Sequence, residues 1–283
     1  AHGTPHHRVG RHLPLREETP MIRLHNIEVS FDLGGGQEHT VLKNLSLEVE
    51  RGQTVSVIGS NGAGKSTLLN AIAGTVPVRA GKIFLDDSDV TPLPEWARAM
   101  YVGRVRQDPL AGTAGDMTLL DNLALAYRKG PRRFRIATPP KFAREMADKV
   151  AELGMGLEDR LRENVSRLSG GQRQALTLLM AILSRPSVLL LDEHTAALDP
   201  ANAEIVGELT RRFIAEFNLT ALIVTHDMKR ALEQAGRVVM MHEGEIIADL
   251  SGAEKEKMDV AGLVRLFKKV RGAEYAEDRD LLI

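Results

Sequence analysis

The nine residues Gly59-Ser60-Asn61-Gly62-Ala63-Gly64-Lys65-Ser66-Thr67 fit the pattern G-x-x-x-x-G-K-[ST], the loop that cradles the phosphates of a nucleoside triphosphate. Its glycines let the backbone turn sharply and expose N–H groups, and the helix that follows adds the positive end of its dipole. Lys65 suits the β- and γ-phosphates as a point charge, and the Ser66 hydroxyl suits Mg²⁺, a hard cation that takes oxygen ligands. A second set of chemical groups is Asp192-Glu193, which ends the apolar run Ser187 to Leu191. Burial accounts for the run but not for the two acids. At the C-terminal end of a parallel strand they reach a ligand crevice, where Asp192 serves Mg²⁺ or a water of its shell. Glu193 is then placed to orient and polarise the attacking water.

Those residues need elements to hold them. Ile22 to Phe31 reads as a strand, Gly34-Gly35-Gly36 as a turn, and Asn44 to Val49, Thr54 to Ile58 and Lys82 to Leu85 as further strands. Lys65 to Ala73 reads as a helix, so the phosphate loop sits in a strand-loop-helix unit. From about 108 to 183 strand signals vanish and helical spacing takes over, as in Phe142, Met146, Val150 and Leu153. This segment reads as a helical subdomain inserted into the core. Strands then alternate with helices: Ser187 to Leu191, Asn202 to Phe217, Thr220 to Val224, Met228 to Ala235, and a hairpin of Arg237 to Met241 and Glu245 to Ala248 around Glu243-Gly244. The alternation predicts an α/β fold with a parallel sheet covered by helices, preceded by an antiparallel β region. A charged tail from 251 to 283, helical over Val260 to Val270, is too short for another domain.

The 283 residues carry 37 Lys plus Arg against 38 Asp plus Glu, a net charge of −1. Such a balance exerts no global pull on nucleic acid or an anionic membrane. With no cysteine, disulfide scaffolds, thiolate zinc sites and cysteine nucleophiles are excluded. No apolar run reaches the roughly 18 residues needed to cross a bilayer. Residues 1 to 20 hold four of the nine histidines and three prolines without apolar periodicity. They are expected to be a disordered extension or tag ahead of a start at Met21, and metal binding by the histidines is the less favoured reading.

A third cluster, Leu168-Ser169-Gly170-Gly171-Gln172, precedes the helix-like stretch Arg173 to Leu183. With it the chain, over about residues 22 to 250, resembles the nucleotide-binding subunit of ATP-binding cassette (ABC) transporters. The motifs follow in that family's order: the P-loop, Gln107 (Q-loop), the L-S-G-G-Q signature, Asp192 and Glu193, Ala197-Leu198-Asp199 (D-loop), and His226 after the apolar strand (H-loop). The resemblance implies a RecA-like P-loop NTPase core over 21 to 250, an ATPase using ATP and Mg²⁺, and two subunits paired head to tail. Each signature then closes, through Ser169, Gly170, Gly171 and Gln172, over ATP held by the other copy's P-loop. The capping of a helix by these residues provides a second anion-binding end. By the same resemblance His226 contacts the γ-phosphate, Gln107 reaches Mg²⁺ and the water, and Asp199 belongs to the nucleotide interface.

Two positions depart from the family pattern. The usual adenine-stacking aromatic falls at Leu33, with Phe31 two residues earlier as its substitute, and His194 stands where Pro is usual. The spelling Gly103 to Pro109 and Asp192 to Pro200 resembles a bacterial subgroup paired with permeases of the branched-chain amino acid type. The implied protein is a peripheral ATPase on the cytoplasmic face of the cell membrane, importing a small solute such as an amino acid. Its partners would be transmembrane permease subunits and, indirectly, a solute-binding protein, with no nucleic acid. An exporter's ATPase, or a non-transport ABC ATPase acting in a soluble assembly or a nucleic-acid process, is the alternative. The patch Arg128 to Arg135 reads first as a solvated basic loop, then as a neighbour of anionic lipid headgroups, and last as a nucleic-acid contact.

Overall fold

A computed structural model describes residues 20–127 and 138–271; the histidine-rich start and the Arg128 to Arg135 patch lie outside them. The elements are β1 (Ile22–Asp32), β2 (Glu38–Val49), β3 (Thr54–Gly59), α1 (Lys65–Ala73), β4 (Ala80–Leu85), β5 (Ser88–Asp89), α2 (Glu95–Arg98) and β6 (Val102–Val105). They continue with α3 (Leu119–Tyr127), α4 (Pro140–Ala151), α5 (Gly170–Leu183), β7 (Val188–Asp192), α6 (Pro200–Glu216), β8 (Thr220–Val224) and α7 (Met228–Gln234). Last come β9 (Arg237–His242), β10 (Glu245–Ser251), α8 (Gly252–Glu256) and α9 (Val260–Arg271).

Two sheets form. An antiparallel one has the order β2-β1-β4-β5, and a mixed one has the order β10-β9-β3-β8-β7-β6, with β9, β3, β8, β7 and β6 parallel. The central strands are buried on both faces, so their period of two divides side chains between two cores. Val188, Leu190, Leu222 and Val224 pack with α1 and the antiparallel sheet. Leu189, Leu191, Ala221 and Ile223 face the other way, against α3, α4, α5 and α6. A third cluster sets α7 and α9 (Leu263, Phe267) against Val238 and Met240 of β9. In this arrangement the C-terminal ends of β3, β7 and β8 come together at one edge.

Four elements were invisible to the sequence reading: α8 in the tail, and β5, α2 and β6. The last is an edge strand in which Gly103 passes beneath α5, where a Cβ would stand 2.4 Å from the Ala181 carbonyl oxygen. β2 starts at Glu38 rather than Asn44, because Asn26 and Asn44 adopt positive φ at register shifts that break the alternation of the β1–β2 pair. Arg98, 3% exposed, caps the C-terminal end of α1: its guanidinium donates to the carbonyls of Ala71 (2.7 Å) and Ile72 (3.0 Å) and also to Thr91 and Leu93.

Candidate functional site

The phosphate loop leaves β3 and enters α1 through Gly64, whose φ of 92° is left-handed, a conformation that glycine adopts without a Cβ penalty. Among the described residues no side chain caps α1, and its first turn holds no acid, so the helix N-terminus retains hydrogen-bonding capacity for an anion. Asn61, Gly62, Ala63, Gly64, Lys65, Ser66 and Thr67 line a cavity of about 340 Å³ together with His39, Val41 and Glu193. Lys65 is buried. Its ammonium donates to the carbonyls of Gly59 (2.7 Å) and Ser60 (3.0 Å). Burial pushes its pKa down, opposed by the carboxylates of Glu193 and Asp192.

The acids meet the loop from β7. Ser66 Oγ donates to Asp192 Oδ1 at 3.0 Å. Burial raises the Asp192 pKa, while the Ser66 bond and Arg104 lower it and Glu193 raises it further. Asp192 also lines a second cavity of about 500 Å³ with Gln107, Arg104 and Arg106. Glu193 Oε2 lies 3.4 Å from His226 Nδ1, and both residues line a third cavity of about 450 Å³ with His194, Thr195 and Arg230. Thus the P-loop, Gln107, Asp192, Glu193 and His226 converge at one edge of the parallel sheet, where strand ends deliver ligand-binding groups.

The signature lies elsewhere on the chain. Ser169 is the N-cap of α5, accepting from the Gln172 N–H (3.2 Å), while Gln172 Oε1 accepts from the Ser169 N–H (3.2 Å). This reciprocal capping box closes the first turn. The Arg173 guanidinium donates to the carbonyls of Val165, Ser166 and Leu168 and pins the approach to it. Gly170 and Gly171 pack against Leu198 and Asn202. Asp199 caps α6, accepting from the Asn202 side chain (2.6 Å) and backbone (3.1 Å); these bonds hold its pKa below the ordinary carboxylate value. None of Leu168 to Gln172 lines the P-loop cavity.

Phe31 and Leu33 are both exposed, and neither lines that cavity. Phe31 pairs across the sheet with His39, which does. Sequence reasoning missed His39, as it missed Arg104, whose guanidinium donates to the Asn70 amide oxygen (2.5 Å) and Thr75 Oγ1 (3.0 Å) and so joins β6 to α1 and the segment after it.

Comparison with known proteins gives the chain's family. The sequence profile described as "ABC transporter" matches residues 42–196. The tyrosine transport ATP-binding protein of Clostridioides difficile is 42% identical over 88% of this chain and 99% of its own length. Methionine import ATP-binding protein MetN 1 of Bacillus thuringiensis subsp. konkukian is 33% identical over 81% of this chain, which spans 66% of that relative. Among solved structures, a dimeric ATP-binding cassette in a post-hydrolysis state, bound to ADP and Pi, superposes with a TM-score of 0.69 at 25% identity, over 82% of this chain and 98% of that one. The chain belongs to the ABC transporter family, as an ATP-binding subunit with the fold and ATPase activity of its cassettes.

Proposed function

We propose that two copies of this chain pair head to tail around ATP and power import of a small solute, such as an amino acid, through a transmembrane permease. In this reading the protein sits peripherally on the cytoplasmic face of the cell membrane. One observation carries the pairing: the P-loop cavity contains no signature residue, and the signature's glycines face the start of α6 on their own chain. Each chain therefore holds two incomplete half-sites. A likeness to a dimeric cassette bound to ADP and Pi supports the arrangement, and relatives named for tyrosine transport and methionine import support the solute class. A permease of the branched-chain amino acid type, served by a solute-binding protein, is the narrower form of the proposal.

Each group then has a task. The loop N–H groups and Lys65 bind the phosphates, Phe31 takes the adenine, and Ser169, Gly170, Gly171 and Gln172 of the other copy face the γ-phosphate with Asp199 beside them. Ser66, Asp192 and Gln107 offer the hydroxyl, carboxylate and amide oxygens that Mg²⁺ prefers, and the Ser66–Asp192 bond already brings two of the three together. Bound Mg²⁺ supplies positive charge to the β- and γ-phosphates. Glu193 polarises the attacking water and His226 contacts the γ-phosphate. For the permease, exposed Trp96 (80%), Met100 and Leu110 flank the segment carrying Gln107. Arg106 ties that segment to Glu95 of α2 at 3.5 Å, so a docked membrane subunit would bear on a residue that faces Asp192.

Glu193→Gln should bind ATP and lose roughly 10²–10⁴-fold in turnover, measured by phosphate release. Near-normal turnover would assign the water to another group. For the transport half of the proposal, the chain should co-purify with a multi-span membrane protein. A soluble partner with full activity would contradict it.

A further inference from the structure

We propose that His194 is a positioning residue for hydrolysis: its bond to α6 fixes the backbone of Glu193 and so aims the carboxylate beside His226. The inference rests on Glu193 as the water-polarising group. Glu193 has φ 44°, a left-handed conformation that a side chain with a Cβ adopts only when its surroundings impose it. On one side the Glu193 N–H donates to the Val224 carbonyl at 3.0 Å. On the other, His194 turns inward, 4% exposed, and its Nε2 lies 3.0 Å from Thr210 Oγ1. The Thr210 hydroxyl proton is committed to the Val206 carbonyl at 2.8 Å, so the imidazole Nε2–H is the donor. A proline at this position would have no such donor.

The clamp closes into a ring. Thr195, the next residue, accepts from Arg230 at 3.1 Å, and Arg230 stands 3.4 Å from Asp227, the residue after His226. Both partners of the Glu193–His226 pair are thus held by the residues that follow them: one through α6, the other through α7. Because Asp199 caps α6 and Asn202 in its first turn lies against Gly171 of the signature, displacement of the helix start is transmitted to the carboxylate through Thr210 and His194. Burial, with Arg230 of α7 adding to it, holds the imidazole pKa down at about 4.

The test uses the full chain, with kcat and KM for ATP and thermal melting measured for each variant. His194→Ala should lower kcat about tenfold or more with KM little changed, as a small misplacement of a catalytic group does. His194→Gln, whose amide reaches a similar point, should recover most of kcat. Thr210→Val should reproduce the His194→Ala loss, Thr210→Ser should not, and the double variant His194→Ala/Thr210→Val should be no worse than either single. Normal kcat in folded His194→Ala, or additive losses in the double variant, would overturn the clamp. Glu193→Gln measured alongside separates the premises: if it turns over ATP the water-polarising assignment fails, and if it is inactive while His194→Ala is normal only the clamp fails.

Discussion

α1 and α5 both begin at glycine-rich segments, yet their N-termini are finished in opposite ways. α1 starts at a left-handed Gly64 with no side-chain cap, beside a buried Lys65. α5 starts at Ser169 inside a complete capping box, pinned by Arg173. An uncapped helix start keeps donors for a ligand, whereas a capped one has already satisfied part of its own. On that difference the P-loop is equipped to bind a highly charged anion by itself, whereas the signature is a rigid, preformed helix start.

Perturbing the two starts should therefore give different phenotypes. Lys65→Ala should weaken ATP binding by about 4 kcal/mol, roughly a thousandfold, because charge-assisted bonds to two phosphates disappear; equilibrium titration of the dilute chain measures it, and a tenfold loss or less would erase the distinction. The next largest effect probes α6, the strut between the two regions. His194 has a folded-state pKa of about 4, below its ordinary 6.5. As pH falls the unfolded chain is protonated first, so stability is intact above about 6.5 and falls by about 3 kcal/mol between there and about 4. Denaturant unfolding across that range should show this component of the slope in the parent chain and lack it in His194→Gln. The smallest effect belongs to Ser169→Ala: about 1 kcal/mol of helix-cap stability, unchanged ATP affinity in the dilute chain, and reduced turnover. A loss of affinity as large as that of Lys65→Ala would make the two helix starts equivalent.

Much of this was legible because local and tertiary preferences agree. α1 occupies Lys65–Ala73 and β8 Thr220–Val224, the ranges read from the sequence, since glycines bracket the first and an apolar run defines the second. β6 was hidden because its glycine and arginine give it no strand signature; pairing with β7 and the close passage under α5 make it a strand. Arg98 belongs to none of the motifs, and only the fold places it against the end of α1. His39 enters the P-loop cavity through a β1–β2 register that the two left-handed asparagines set. His194 was noticed as a departure from the family pattern, but its bond to Thr210 joins residues 16 positions apart and no local pattern announces it.

The central claim, that two half-sites are completed by a second copy, is tested most directly by the mass of Glu193→Gln in solution. Light scattering should give a monomer near 31.0 kDa without nucleotide and twice that mass with ATP. Adding Ser169→Arg, which places a bulky cation in the signature, should return the ATP-bound chain to the monomer mass. A Glu193→Gln chain that binds ATP and stays monomeric, or a dimer indifferent to Ser169→Arg, would contradict the account.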